Sequence, residues 1–180
     1  MSKNIIVLSS SPRKNGNSDI LCDEFIKGAK AAGHVAEKIF LKDKEINVCT
    51  GCGYCSHSGY NGCAKIDDAV EIIDKMIASD VIVMATPVYF FMMSGQMKTF
   101  IDRCCSKYTR IKNKEFYFIA TAAESKKEML DRTFDGFRGF LQCLDGAVER
   151  QCIYAPSVWE KGEVVNTQAM NEAYQAGLNV

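Results

Sequence analysis

The feature that most restricts what this chain can fold into is a rhythm of short apolar runs, each followed by a polar loop and a stretch with helical spacing. Asn4–Ser9 and Val81–Ala85 are apolar without alternation, as strands buried on both faces are. Further strands are expected at Phe116–Ala120, Val148–Tyr154 and the weakly alternating Val35–Leu41. Between them, Ile20, Leu21, Phe25, Ala29 and Ala32 recur at helical spacing over Ser18–Ala32, and Gly33 closes the pattern. Asp67 and Asp68 open a second helix carrying Val70, Ile73, Met76 and Ile77, the acids suiting its positive end. Helices are also expected over Ser94–Cys105, Lys127–Leu144 and Gln168–Ala176. Strand followed repeatedly by helix demands crossovers, so the expected fold class is α/β, a doubly wound five-stranded parallel sheet of order 2-1-3-4-5. The length of 180 residues suits one domain over 1–180.

Charge and apolar patterning exclude several function classes. Lys and Arg number 22 and so do Asp and Glu, which leaves no net field to attract nucleic acid. No apolar run approaches the roughly 20 residues that span a bilayer, and no signal-like series opens the chain. A soluble, cytoplasmic protein is expected, with no nucleic-acid or membrane partner. The odd total of nine cysteines argues for reduced thiols rather than a disulfide framework. Cys22, Cys104, Cys105, Cys143 and Cys152 lie in apolar surroundings and are expected as small core residues. Cys49, Cys52, Cys55 and Cys63 instead crowd into a Gly/Ser-rich segment that reads as an excursion from the sheet.

In an open parallel sheet the ligand crevice lies beyond the carboxyl ends of the strands. The first such loop, Ser9-Ser10-Ser11-Pro12-Arg13-Lys14-Asn15-Gly16-Asn17-Ser18, sets hydroxyls, amides and a guanidinium before a helix start. Free N–H groups and the helix dipole favour an anion there. The other reading is a polar turn with Asn17 or Ser18 as N-cap. Without the glycines of a Walker or dinucleotide loop, a terminal monophosphate suits it better than a triphosphate or pyrophosphate. The second loop, Thr86-Pro87-Val88-Tyr89-Phe90-Phe91-Met92-Met93, offers large flat side chains at a strand end. It can pack a ring system, or serve as an apolar patch or subunit contact.

The cysteine segment has the spacing C-x2-C-x2-C-x7-C. Four thiolates at such spacing can ligate a [4Fe–4S] cluster or a zinc ion, and they can equally remain free thiols. His34 and His57 read as ordinary surface or core histidines.

The motifs SSPRKNGNS, CTGCGYC with a following cysteine running into Asp67-Asp68, and TPVYFFMMSGQMKTFIDR occur in that order within about the first 105 residues. In this combination the chain resembles the NADPH-dependent FMN reductase and iron–sulfur flavoprotein branch of the flavodoxin-like superfamily. The resemblance implies that Ser9, Ser11, Arg13, Asn15, Asn17 and Ser18 surround an FMN phosphate. It likewise implies that Pro87, Val88, Tyr89, Phe90 and Phe91 wrap the ribityl chain and ring, that Thr121 starts a third flavin loop, and that Asp102-Arg103 braces the fold. The third loop, Thr121-Ala122-Ala123-Glu124-Ser125, departs from the glycine-rich form often found there.

The function so implied is an FMN-dependent oxidoreductase that takes electrons from NAD(P)H as co-substrate and passes them to a small-molecule or protein acceptor. The cofactor carries the chemistry, so no catalytic side chain is named. Two alternatives stand beside it: an iron–sulfur flavoprotein electron carrier with a [4Fe–4S] cluster on Cys49, Cys52, Cys55 and Cys63, and a non-enzymatic FMN-binding redox sensor. The resemblance also implies a homodimer or homotetramer.

Overall fold

The computed structural model describes residues 1–180. Its strands are β1 (Asn4–Ser9), β2 (Val35–Phe40), β3 (Val81–Tyr89), β4 (Met92–Met93), β5 (Glu115–Thr121) and β6 (Val148–Ala155). The order across the sheet is β2-β1-β3-β5-β6, all parallel, with β4 paired antiparallel to β3 alone. Setting that two-residue ribbon aside, the expected 2-1-3-4-5 order is the observed one. The ribbon arises because β3 runs past the sheet to Tyr89 and folds back through Phe90-Phe91.

The helices are α1 (Asn17–Ala31), the single turn α2 (Tyr54–His57), α3 (Asp68–Ala78), α4 (Gly95–Cys104), α5 (Asp131–Leu141) and α6 (Gln168–Leu178). The helix expected over Lys127–Leu144 is shorter, with a 3-10 turn at Lys127–Leu130 leading into α5. No helix is long and apolar enough to cross a membrane. The central strands are buried on both faces, as their unbroken apolar runs require. One core, built on Leu8, Ile82, Met84 and Phe118, is covered by α3, α4 and α5. The other, built on Val7, Val83, Tyr117 and Ile153, is covered by α1 and α6.

Two expectations need correction. The N-cap of α1 is Gly16, with no side-chain cap, so neither Asn17 nor Ser18 caps the helix. A Cβ at Gly16 would stand 2.6 Å from Ser11 Oγ and 2.9 Å from the Arg13 carbonyl, so only glycine lets the loop close so tightly there. Of the five scattered cysteines only Cys22 and Cys104 are core; Cys105 and Cys143 are exposed and Cys152 is half-buried. Cys104 and Cys105 sit at a helix end, where successive side chains diverge by about 100°, so one enters the core and its neighbour does not. Cys152 lies on the edge strand β6, where it packs against the rim of the core while its sulfur meets Arg138 and Glu149.

Helices α1 and α6 meet through glycines. A methyl at Gly28 would collide with the Tyr174 carbonyl, and one at Gly177 with the Phe25 carbonyl. Overpacking a contact of this kind costs about 1–3 kcal/mol. Gly177→Ala should therefore lower the denaturation midpoint by that energy, whereas Gly139→Ala, which has open space around it, should not. Equal effects would show that the α1–α6 contact is not tight.

Candidate functional site

At the carboxyl edge of the sheet, a cleft of about 720 Å³ is lined by Pro12, Arg13 and Asn17 from the first loop, Pro87, Val88 and Tyr89 from the end of β3, Thr121, Ala122 and Ala123 after β5, and Val158 and Trp159 from the tail. Three strand ends thus converge on one space, as a switch-point crevice requires.

The first loop is shaped by its own polar groups. Ser11 Oγ donates to the Arg13 carbonyl at 2.8 Å and accepts from the Arg13 N–H at 3.2 Å. Asn15 adopts a left-handed backbone with φ 55°, which asparagine tolerates better than most residues. The hub beneath the loop is Asp19, a buried residue absent from the expected set. Its carboxylate accepts from Ser9 Oγ, the Asn15 N–H and Lys38 Nζ. Burial works against the Lys38 charge, but hydrogen bonds to Asp23 and Asp19 outweigh it and hold the ammonium protonated above its ordinary range. Lys38, shared between Asp19 and Asp23, offsets part of the Asp19 charge beneath the loop. Burial, reinforced by the Asp19 charge, pushes the Cys22 thiol far up, so it is inert.

The start of α1 leaves donors open. No side chain caps it, and the backbone N–H groups of Asn17, Ser18 and Asp19 have no acceptor within the chain. Ser18 Oγ is buried and also without a partner, an arrangement that costs about 1–3 kcal/mol unless something accepts from it. An orphan hydroxyl beside open helix N–H groups fits an oxyanion.

The other residues from the expected set are placed as follows. The Ser9 hydroxyl is spent on Asp19 and does not line this cleft. The Asn17 side chain binds the tail instead: its amide donates to the Glu160 carbonyl, and its oxygen accepts from the N–H groups of Gly162 and Val164. Arg13 donates to the Trp159 carbonyl at 3.1 Å, leaving its other N–H groups open. Pro87, Val88, Tyr89 and Thr121 line the cleft. Phe90 and Phe91 do not, because they form the tip of the β3–β4 hairpin, both with positive φ (50° and 61°). A two-residue hairpin loop of type I′ needs that conformation at both positions. Phe90 is 99% exposed; Phe91 lies under the Arg132 guanidinium and its carbonyl accepts from Thr133 Oγ1.

Residues outside the expected set complete the scaffold. Ser10 Oγ donates to the Ala85 carbonyl, Ser94 Oγ donates to Ser10 Oγ, and the Ser94 N–H donates to Thr86 Oγ1, which welds the first loop to the second. Trp159 and Val158 supply a wall from the tail, where Glu163 accepts from the N–H groups of Trp159 and Glu160.

A family model of NADPH-dependent FMN reductases matches residues 3–145. The chain belongs to this family. The matched span contains both sheet-edge loops and the cysteine segment, while the Val158–Trp159 wall lies beyond it. An iron-sulfur flavoprotein of Archaeoglobus fulgidus is 42% identical over 93 residues, 52% of this chain and 41% of that protein. Another, from Methanocaldococcus jannaschii, is 41% identical over 99 residues, 55% of this chain and 50% of that protein. The chain therefore spans about half the length of these curated relatives. An FMN-dependent NADH-azoreductase from Bacillus anthracis, solved in complex with FMN, superposes with a TM-score of 0.71 over 99% of both chains at 17% identity. An NAD(P)H:quinone oxidoreductase from Methanothermobacter marburgensis gives 0.78 at 14% identity, over 99% of this chain and 97% of that one. At such identities the likeness is one of fold.

Within this reductase-family chain the cysteine segment forms a second cleft, also of about 720 Å³. Cys49, Cys52, Cys55 and Cys63 all line it, and Cys105 joins them. No three thiol, imidazole or carboxylate groups converge closely enough to ligate one ion as the side chains stand, so the four thiols share a cleft without forming a ligand set. His57 Nδ1 is 2.8 Å from the Gly53 carbonyl, and His34 Nδ1 accepts from the Lys3 N–H.

The segment is tied down by Arg103 of α4, which is almost wholly buried and donates to the carbonyls of Asn47 and Lys65, to Asp67 and to Cys63 Sγ. Burial alone would raise the Asp67 carboxyl, but the hydrogen bond from Arg103, those from Asn47 and the Arg103 charge hold it down at about 2. Because this carboxyl is harder to protonate folded than unfolded, its contribution to stability is complete above its ordinary value of 3.8 and is lost as pH falls towards 2. Acid unfolding of the Asp67→Asn variant should consequently show a shallower loss of stability across that window than the parent protein. Parallel curves would detach Asp67 from the acid transition.

Proposed function

We propose that this chain is an FMN-dependent NAD(P)H oxidoreductase, with FMN in the cleft at the carboxyl edge of the sheet. The observation that carries the reading is the open start of α1: a buried, unpartnered Ser18 hydroxyl beside free N–H groups, next to a cleft walled by three strand-end loops. Membership of the reductase family and the fold shared with an FMN-bound azoreductase support it.

In this reading Ser18 Oγ and the N–H groups of Asn17, Ser18 and Asp19 hold the phosphate, and the remaining Arg13 N–H groups add charge. Pro87, Val88, Tyr89 and Thr121 border the rest of the cofactor, and Trp159 closes the tail side. Bound FMN supplies the capacity to accept hydride from a reduced nicotinamide and pass electrons onward. The chain's own work is to hold the ring, keep it at the sheet edge and leave one side open to the nicotinamide and then to an acceptor. The exposed tip formed by Tyr89, Phe90 and Met92, too apolar to favour water, suits contact with a second copy in a homodimer or homotetramer. Nine free cysteines fit a reducing compartment such as the cytoplasm.

A second reading is electron transfer through a [4Fe–4S] cluster on Cys49, Cys52, Cys55 and Cys63. Their shared cleft and the iron-sulfur flavoproteins among the relatives favour it. Ligation needs the glycine-rich segment to close, because the thiols stand apart. Iron and acid-labile sulfide in anaerobically prepared protein distinguish the two readings.

The phosphate assignment has a direct test, since riboflavin lacks the phosphate. A hydrogen bond to a charged group is worth about 1.5–3 kcal/mol, or roughly ten- to hundredfold in affinity. Ser18→Ala should weaken FMN binding by that factor and leave riboflavin binding nearly unchanged. Equal losses for both ligands would remove Ser18 from the phosphate site.

A further inference from the structure

We propose that Cys55 and Cys105 are a reversible dithiol–disulfide pair that staples the cysteine segment to the end of α4. Their sulfurs lie 3.7 Å apart across 50 positions of sequence. A disulfide bond is about 2.05 Å long, so side-chain rotation and a small approach of the segment complete it. The segment can make that approach because Gly51, Gly53 and Gly59 all take left-handed backbone conformations and join it to the fold through flexible turns.

The neighbouring thiols are less well placed. Cys63 Sγ is engaged by the Arg103 guanidinium and the Lys65 N–H. Cys104 is buried in the core, so only Cys105 of the adjacent pair faces the cleft. Cys49 and Cys52 line the same cleft, but neither makes a sulfur contact like that of Cys55. The pair is also reachable. A groove of about 930 Å³, lined by Tyr60, Ile101, Tyr108 and Phe140 among others, shares Tyr60, Asp102 and Cys105 with the cysteine cleft. A low-molecular-weight disulfide can enter by that route.

The chemistry balances with that co-reactant. The Cys55 thiolate attacks one sulfur of the small disulfide, breaking its S–S bond and releasing one small thiolate, which takes up the Cys55 proton. Cys105 then attacks the Cys55 sulfur of the mixed disulfide, forming the Cys55–Cys105 bond and releasing the second small thiolate, which takes up the Cys105 proton. The protein loses two electrons and two protons, and the small disulfide becomes two thiols. A Cys55 held in the disulfide is no longer a thiolate ligand, so oxidation and metal binding at this segment exclude one another. The pair itself depends on neither the flavin nor the cluster reading.

The test uses metal-free protein, reduced, then treated with oxidised glutathione, alkylated and digested without reductant. Trypsin leaves Cys49, Cys52, Cys55 and Cys63 on the peptide Glu45–Lys65, and Cys104 with Cys105 on Cys104–Lys107. The expected product is these two peptides joined, with two hydrogens lost, and separated again by dithiothreitol. Joining should survive in Cys49→Ser, Cys52→Ser and Cys104→Ala, and disappear in Cys55→Ser and Cys105→Ser. In Cys105→Ser, Cys55 should instead carry glutathione. The proposal fails if the parent protein yields both peptides separate, whether alkylated or glutathionylated, or if joining persists without Cys55 or without Cys105. Iron content, measured separately in Cys105→Ser, reports on the cluster reading alone, since Cys105 is not among its four ligands.

Discussion

Burial of β1 and β3 on both faces is the constraint from which the rest of the structure follows. Strands with no solvent face can carry no polar side chains along their length, and their connections must cross over helices. Polar groups belonging to these strands are therefore displaced to their carboxyl ends. There Ser9 and Ser10 leave β1, Thr86 ends the buried part of β3, and Ser94 returns from the hairpin to bond Ser10 and Thr86. The same edge receives the positive end of α1 with its donors uncapped. The anion-seeking chemistry of the cleft is thus a by-product of how the core is sealed.

Asp19 shows how that arrangement is kept from defeating itself. A carboxylate under an anion loop would repel the ligand, yet here it fastens Ser9, the Asn15 backbone and Lys38. The ion pair with Lys38, which Asp23 shares, offsets part of its charge while its hydrogen bonds fix the loop. Arg103 plays the corresponding part beneath the cysteine segment, where one guanidinium satisfies two carbonyls and a carboxylate. Both loops are irregular, and both are held by a buried charge with an opposite partner.

What could be read from the sequence divides along physical lines. β1, β3 and the sheet order were legible because continuous apolar runs and strand–helix alternation are local patterns. The hairpin β4 was not, since the left-handed turn it needs falls on Phe90 and Phe91 rather than on the glycine or asparagine that usually signals it. Asn17 looked like a cap because its partners, Glu160 to Val164, lie more than a hundred positions away. The same distance hid Trp159 as a cleft wall. Cys105 is exposed beside the buried Cys104 despite its apolar surroundings in sequence, because composition does not reveal which of two adjacent helix-end residues turns inward. The motif residues Pro87, Val88, Tyr89, Thr121 and Arg13 were legible as a set and do line one cleft.

The central claim is that this cleft holds FMN in a form that a reduced nicotinamide can reduce. It is tested most directly by the visible absorbance of protein loaded with FMN, freed of excess cofactor by gel filtration and titrated anaerobically with NADPH and with NADH. The account predicts flavin co-eluting at about one per chain, with its visible band bleached by at least one of the two nicotinamides. Protein that emerges without flavin, or bound flavin whose band neither nicotinamide alters, would contradict it.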